Sequence, residues 1–82
     1  MDRIQAAEVF VAIVERGSLT AAADGLDMSR AMVTRYLAQM EDWSGARLLH
    51  RTTRRIGLTA AGEATLVRCR QMLEIAGQMA MT

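Results

Sequence analysis

The fold of this chain is decided by residues 18–41, which read SLTAAADGLDMSRAMVTRYLAQME. Ser18 and Ser29 each stand before a run of helix-favouring residues, and a serine hydroxyl in that position accepts a hydrogen bond from the first helical turn. A tight turn separates the two runs. The stretch therefore predicts a short helix and a longer one, over about residues 19–26 and 30–44.

The longer of these two helices has an apolar stripe opposite a polar face. Val33, Leu37 and Met40 recur at helical spacing and predict its buried side. Gly45 ends it. A short helix, a turn and a longer helix form a helix-turn-helix, whose second helix enters the major groove of DNA with its N-terminal residues against base edges. The arrangement favours a nucleic-acid partner.

A third helix precedes this pair. Asp2 is placed to cap its start, and Gly17 suits the left-handed position after its last turn. The apolar residues that recur at helical spacing are Ile4, Ala7, Phe10, Val11 and Val14. The pattern predicts a helix over about residues 3–16.

The helical period is lost in residues 46–59, which read ARLLHRTTRRIGLT. Two short apolar runs flank the basic tip RTTRR, and this order is typical of a hairpin with a charged turn. The hairpin is predicted over about residues 48–58. A basic hairpin directly after a helix-turn-helix is the wing of a winged helix.

A last helix is predicted from the cap residue Thr59 toward Thr82. Its apolar residues form a heptad seam, the pattern of helices that pair along their length: Leu66, Cys69, Leu73, Ala76 and Ala80. The predicted fold class is therefore mainly α, a winged helix-turn-helix (three helices plus a two-stranded wing) followed by a long dimerising linker helix. The predicted domains are a winged helix-turn-helix DNA-binding domain, residues 1–59, and a linker or dimerisation helix, residues 60–82.

The positive charge is concentrated in the middle of the chain. The whole chain has a formal net charge of +1, and residues 1–27 alone have a net charge of −3. Residues 28–55 carry six arginines and two acidic residues, which gives a net charge of +4. The charges of residues 56–82 cancel, so that segment has no net charge. A local basic patch on a nearly neutral domain predicts a polyanion that docks on one face.

The composition argues against several classes of protein. Apolar residues make up 51% of the chain, but no run of 18 apolar residues could span a membrane. The N-terminus lacks the basic-then-apolar order of a signal peptide, so the expected location is the cytoplasm. One cysteine and one histidine give neither an internal disulfide nor a metal site, and no cofactor is expected.

No set of residues predicts an enzyme. Glu41 and Asp42 are adjacent on a helix and so point apart, and neither a Ser–His–acid set nor a phosphate-cradling glycine loop is found. His50 is predicted as a strand residue rather than a metal ligand. Cys69 is predicted to pack rather than to sense redox state. Tyr36 either packs its ring on the core or reaches a phosphate with its hydroxyl.

Three blocks of the sequence are also familiar: FVAIVERGSLTAAADGL, SRAMVTRYLAQME and LLHRTTRRIGLTAAGE. In this order and spacing they resemble the N-terminal DNA-binding domain of LysR-type transcriptional regulators, from about residue 3 to the C-terminal helix. The resemblance implies a bacterial regulator at the nucleoid that binds double-stranded DNA sequence-specifically, as a homodimer through the C-terminal helix, on an interrupted inverted repeat. It also implies that a small-molecule effector binds only to a further domain, so the chain is expected to be a truncated regulator.

The resemblance further implies roles for individual residues. The start of the recognition helix reads bases, which here means Arg30, Ala31, Thr34 and Arg35, with a phosphate as the alternative contact of Arg30. A wing arginine enters the minor groove beside the half-site. It corresponds here to Arg54, and Arg55 stands next to it. The positions that contact phosphate are Ser18, Thr20 and Arg51.

The sequence departs from the family's pattern at several of these positions. Ala31 stands where many members have proline, Thr34 replaces a common serine, and Tyr36 replaces a frequent glutamine. The base preference of other members is therefore not expected to carry over. Ser44 occupies a usually apolar position, and neighbouring Trp43 is expected to fill the lost volume.

Two alternatives are also compatible with the sequence. The N-terminal domain of molybdate-responsive regulators is similar, since it also pairs a winged helix with a dimerising helix. A winged helix used only for protein contacts is the alternative from another class. Such a module would not need arginines at both the recognition helix and the wing.

Overall fold

The structure is a computed structural model that describes residues 2–51 and 56–80. Its elements are α1 (Arg3–Arg16), α2 (Leu19–Leu26), α3 (Arg30–Ser44), β1 (Leu49–Arg51), β2 (Ile56–Leu58) and α4 (Ala60–Ala80). The predicted fold class and order of elements are confirmed. In the ranges described, no helix has both the length and the apolar character that a membrane crossing requires.

The helices begin and end where their capping residues dictate. The side chains of Asp2, Ser18 and Ser29 each accept a hydrogen bond from the backbone N–H three residues later, at 3.0–3.1 Å. Gly17 and Gly45 end α1 and α3 with φ of 83° and 74°, a left-handed conformation that glycine adopts without strain. These local hydrogen bonds explain why the boundaries could be predicted from the sequence.

The turn between α2 and α3 is built on Asp27, which has a φ of 55°. Aspartate tolerates this left-handed conformation better than most residues. The N–H of Met28 then donates to the carbonyl of Ala23 at 2.9 Å, which closes the end of α2. The chain therefore passes from α2 to α3 through three residues, 27–29.

The core lies where α1 meets the other three helices. Its largest fully buried side chains are Phe10, Ile13, Leu37, Met40, Leu48, Val9 and Val33. Ala22 and Ala23 are also buried, and their small side chains let α2 lie close to the rest of the core. No buried side chain in residues 2–51 and 56–80 is polar or charged, so the hydrophobic effect stabilises this core directly.

The strands form an antiparallel pair in which Leu49 lies opposite Leu58 and Arg51 opposite Ile56. The base of this hairpin is fixed to α4 through Thr59. Its backbone N–H donates to the Leu48 carbonyl at 3.1 Å. Its hydroxyl donates to the carbonyl of Arg47 at 2.6 Å and accepts the N–H of Gly62 at 2.9 Å. Thr59 therefore caps α4, as predicted, and also ties that helix to the wing.

Candidate nucleic-acid interface

The outer face of α3 presents the four residues predicted to read bases. Arg30, Ala31, Thr34 and Arg35 are all exposed and lie within the first two turns of the helix. The opposite side of α3 is anchored in the core through its buried apolar stripe. The structure thus brings the predicted set together on a rigid support, with side chains directed away from the protein.

The residues predicted to contact phosphate lie at the start of α2 and in β1. Thr20 is exposed, whereas Ser18 is half-buried. The Ser18 hydroxyl oxygen already accepts the N–H of Ala21 at 3.0 Å, and its proton is still available as a donor to a phosphate oxygen. Arg51 lies in β1, and the contact predicted for its side chain falls outside what the structure describes.

The wing arginines Arg54 and Arg55 fall outside the described residues. The structure does describe the strands on either side of them and how the hairpin is held. The Glu41 carboxylate accepts the backbone N–H of Leu48 at 2.8 Å, where the chain enters the hairpin. The last turn of α3 thereby fixes the base of the wing relative to the recognition helix.

This role of Glu41 was not predicted from the sequence, where Glu41 stands out only as the neighbour of Asp42. Seven residues separate Glu41 from Leu48, and only the left-handed turn at Gly45 brings the carboxylate back to that N–H. An acid in the last turn of a helix, followed by glycine and a hairpin, is the signal that could have suggested the contact.

Part of the predicted dimer seam packs within its own chain. Leu66 and Cys69 are 8% and 2% exposed because they pack in the core of their own chain. Leu73 is half-buried against the same core, and Ala76 is half-buried. The prediction for Ala80 concerns a side chain outside what is described. A heptad seam cannot distinguish a helix of the same chain from one of a partner, and here its first half faces inward.

A second apolar surface of α4, which shares Ala76 with the predicted seam, is open to solvent. A shallow groove of about 390 Å³ is lined mainly by Ile4, Met72, Ile75, Ala76 and Met79, with Arg68 and Gln71 at its edge. Ile75 is 58% exposed in this groove. These five apolar residues are called the α4 groove below. A continuous exposed apolar surface marks a contact site more often than a single exposed apolar residue does.

The structure gives positions for Tyr36, which the sequence left undecided, and for Trp43. Tyr36 is half-buried and packs against the core. The expectation for Trp43 is wrong, because its ring is 44% exposed and lies 4.5 Å below the guanidinium of Arg3. The volume beside Ser44 stays open, as part of a groove of about 310 Å³ between α3 and α4. The Ser44 hydroxyl instead donates to the Glu41 carbonyl at 3.2 Å.

The described residues offer little else that is chemically reactive. Within residues 2–51 and 56–80, no group of three His, Cys, Asp or Glu side chains could hold a metal ion. His50 is exposed in β1, opposite Gly57.

The ion pair between Arg70 and Glu15, at 3.5 Å, joins α4 to α1 and is largely exposed, so it contributes little stability.

The Cys69 thiol is expected to be unreactive in the folded protein. Burial raises its pKa above the ordinary value of 9.0, which lowers the thiolate fraction, and the thiolate is the reacting species. At pH 8 a thiol reagent should modify the folded chain at least about tenfold more slowly than the chain in guanidinium chloride, because modification requires local opening. Equal rates would contradict the buried position of the sulfur.

The comparisons with known proteins agree on one family. Residues 4–63 match the sequence model of the family described as bacterial regulatory helix-turn-helix protein, lysR family. An HTH-type transcriptional regulator of Xanthomonas campestris is 48% identical over 64 residues, covering 78% of this chain and 19% of that protein. The transcriptional activator AaeR of Escherichia coli is 44% identical over 73 residues, covering 89% of this chain and 24% of that protein. The chain thus spans about a fifth to a quarter of the length of these curated relatives.

Solved structures give the same result for the fold. A CbnR DNA-binding domain in complex with DNA superposes with a TM-score of 0.90 at 39% identity, covering 98% of this chain and 91% of that one. A BenM DNA-binding domain in complex with catB site 1 DNA has a TM-score of 0.90 at 30% identity, covering 99% and 90%. The winged helix-turn-helix with its long C-terminal helix is therefore shared with these proteins.

Proposed function

Because the chain belongs to the lysR family of bacterial regulatory helix-turn-helix proteins, we propose that it reads a specific sequence of double-stranded DNA for a transcriptional regulator. The family and its relatives are regulators, so the chain is a DNA-binding domain and not an enzyme. One observation carries the proposal for this chain: two arginines, a threonine and an alanine share the exposed start of a firmly packed α3.

The chemistry of the α3 face suits the edges of base pairs. The guanidinium of Arg35 or Arg30 offers two parallel donors, which match the O6 and N7 acceptors of guanine. Thr34 supplies a hydroxyl and a methyl group, and Ala31 supplies a methyl group, so both can contact the methyl of thymine. We assign base reading to these four residues, with Arg35 as the main contact.

The phosphate contacts lie on both sides of α3. Thr20 and Ser18 lie at the start of α2, where hydroxyls and backbone N–H groups suit a phosphate oxygen. Arg51 is assigned a phosphate on the wing side. Arg54, or Arg55 beside it, is assigned the minor groove next to the half-site, where a narrow A·T-rich groove attracts arginine. The net charge of +4 on residues 28–55 suits this placement of DNA.

The α4 groove is assigned to a second copy of the chain. It replaces Leu66 and Cys69 as the dimer contact, since these two face the protomer's own core. In this division, residues 1–59 supply the DNA contacts and residues 60–82 supply the dimer helix. Two-fold pairing places two recognition helices on one side of the duplex, so the target is an interrupted inverted repeat.

The longer regulator to which such a domain belongs acts in the bacterial cytoplasm, at the nucleoid. Its small-molecule effector is assigned to a domain outside this chain. No cofactor is assigned to the residues of this chain. The alternative of a protein-contact module requires no DNA affinity, and the experiment below separates the two. The molybdate-regulator alternative has no support from the family match.

The direct test is selection of bound sequences from a random DNA duplex library, followed by binding measurements at several salt concentrations. The proposal predicts an enriched interrupted inverted repeat with an affinity well above that for random DNA. It also predicts that both affinities fall as salt rises, because phosphate contacts release counterions. No enrichment, together with equal weak binding of every duplex, would refute sequence-specific reading.

Arg35→Ala is expected to weaken binding to the selected site by about 1–3 kcal/mol and to relax the preference at one base position. Arg70→Ala removes the same charge from α4, outside the α3 face, and is the matched control, which should leave the preference unchanged. Fluorescence anisotropy with the selected duplex and with single-base variants measures both effects. Equal losses on the selected site and on random DNA would show that Arg35 contacts only phosphate.

A further inference from the structure

A small pocket beside α3 connects the first residues of the chain to the base-reading face. It has a volume of about 190 Å³ and is lined by Asp2, Met32, Arg35, Tyr36 and Gln39. The four α3 residues are spaced as one face of a helix. Asp2, the N-cap of α1, lines the pocket with them. Arg35 belongs both to this pocket and to the exposed set that reads bases.

Asp2 and Arg35 line the same pocket, and no ion pair of the described residues joins them. Among residues 2–51 and 56–80 the ion pair within 4 Å joins Arg70 to Glu15, and none joins Asp2 to Arg35. One carboxylate oxygen of Asp2 accepts the N–H of Gln5 at 3.1 Å, which holds the carboxylate in place. The pocket of about 190 Å³ that both side chains line has room for ordered water. The negative charge therefore attracts Arg35 without holding it.

We propose that Asp2 is a specificity-determining residue that acts through Arg35, a role that rests on the proposed function. A contact between Arg35 and a phosphate depends mainly on the net positive charge around the guanidinium. The carboxylate of Asp2 lowers that net charge, so it weakens the attraction to the DNA backbone. A bidentate base contact depends more on the geometry of the fork. Asp2 therefore weakens backbone binding at random sequence more than it weakens base reading at the selected site.

Asp2→Asn tests this role, because asparagine caps a helix about as well as aspartate while its side chain is neutral. The affinity for random duplex should rise about three- to tenfold, because one negative charge that acts on Arg35 across a solvated gap is removed. The affinity for the selected site should change less, so the ratio of the two affinities falls. The salt dependence on random DNA should also become steeper.

Two controls separate this role from a general charge effect. Glu8→Gln removes an exposed acid of the same helix that does not line the pocket, and it should leave the affinity ratio unchanged. In an Arg35→Ala background, Asp2→Asn should lose most of its effect, since the coupling of two residues appears in a double-mutant cycle. Circular dichroism of each variant checks that α1 is retained.

The outcomes distinguish the inference from the function on which it rests. Equal effects of Asp2→Asn and Glu8→Gln, or an Asp2→Asn effect that persists without Arg35, would overturn the role of Asp2 alone. A wild-type chain that does not discriminate between the selected site and random DNA would overturn the proposed function as well. A lower affinity ratio that depends on Arg35 supports the inference.

Discussion

Gly62→Ala is expected to destabilise the folded chain by about 2 kcal/mol or more, a large fraction of the stability of a small domain. A Cβ at Gly62 would overlap the carbonyl oxygen of Leu48. That oxygen accepts the N–H of Thr59, so it cannot move aside without losing a hydrogen bond that fixes the wing. The clash and the lost hydrogen bond together exceed the helix-propensity gain of about 1 kcal/mol.

Gly77→Ala is the matched control, because it makes the same substitution in the same helix. A Cβ at Gly77 meets no atom within 4 Å, so only the propensity gain of about 0.5–1 kcal/mol remains and the variant should be stabilised. Urea unfolding followed by circular dichroism, at one protein concentration, measures both free energies. Similar stabilities for the two variants would mean that the start of α4 does not lie against Leu48.

Ile75→Asp is expected to convert a dimer into a monomer and to weaken binding to a paired DNA site by about a hundredfold or more, since the linked second half-site is lost. Ile75 lies in the α4 groove and is 58% exposed, so the substitution should leave the protomer folded. It would place a charge in a desolvated apolar contact. Binding to a single half-site should change far less.

Val67→Asp is the control for this second prediction. Val67 is also a β-branched residue of α4 and is 56% exposed, but it does not line the groove. It should therefore leave both the mass in sedimentation and the paired-site affinity close to wild type. An unchanged mass for Ile75→Asp at micromolar concentration would exclude the α4 groove as the dimer contact.

The sequence by itself determined the local architecture. The boundaries of the first three helices depend on hydrogen bonds and backbone angles within a few residues, such as the Ser29 cap and the left-handed Gly45. The exposed face of α3 follows from helical spacing alone, so Arg30, Thr34 and Arg35 could be placed without a structure. The concentration of positive charge around them could be counted directly.

Only the tertiary structure decided which distant residues meet. The seam of α4 has the same spacing whether it packs on α1 or on a partner, and burial assigned Leu66 and Cys69 to the protomer's own core. The hydrogen bond from Leu48 to Glu41 and the pocket shared by Asp2 and Arg35 join separate elements. Local periodicity reports which side of an element is apolar, whereas the neighbour on that side is set by how all the elements pack together.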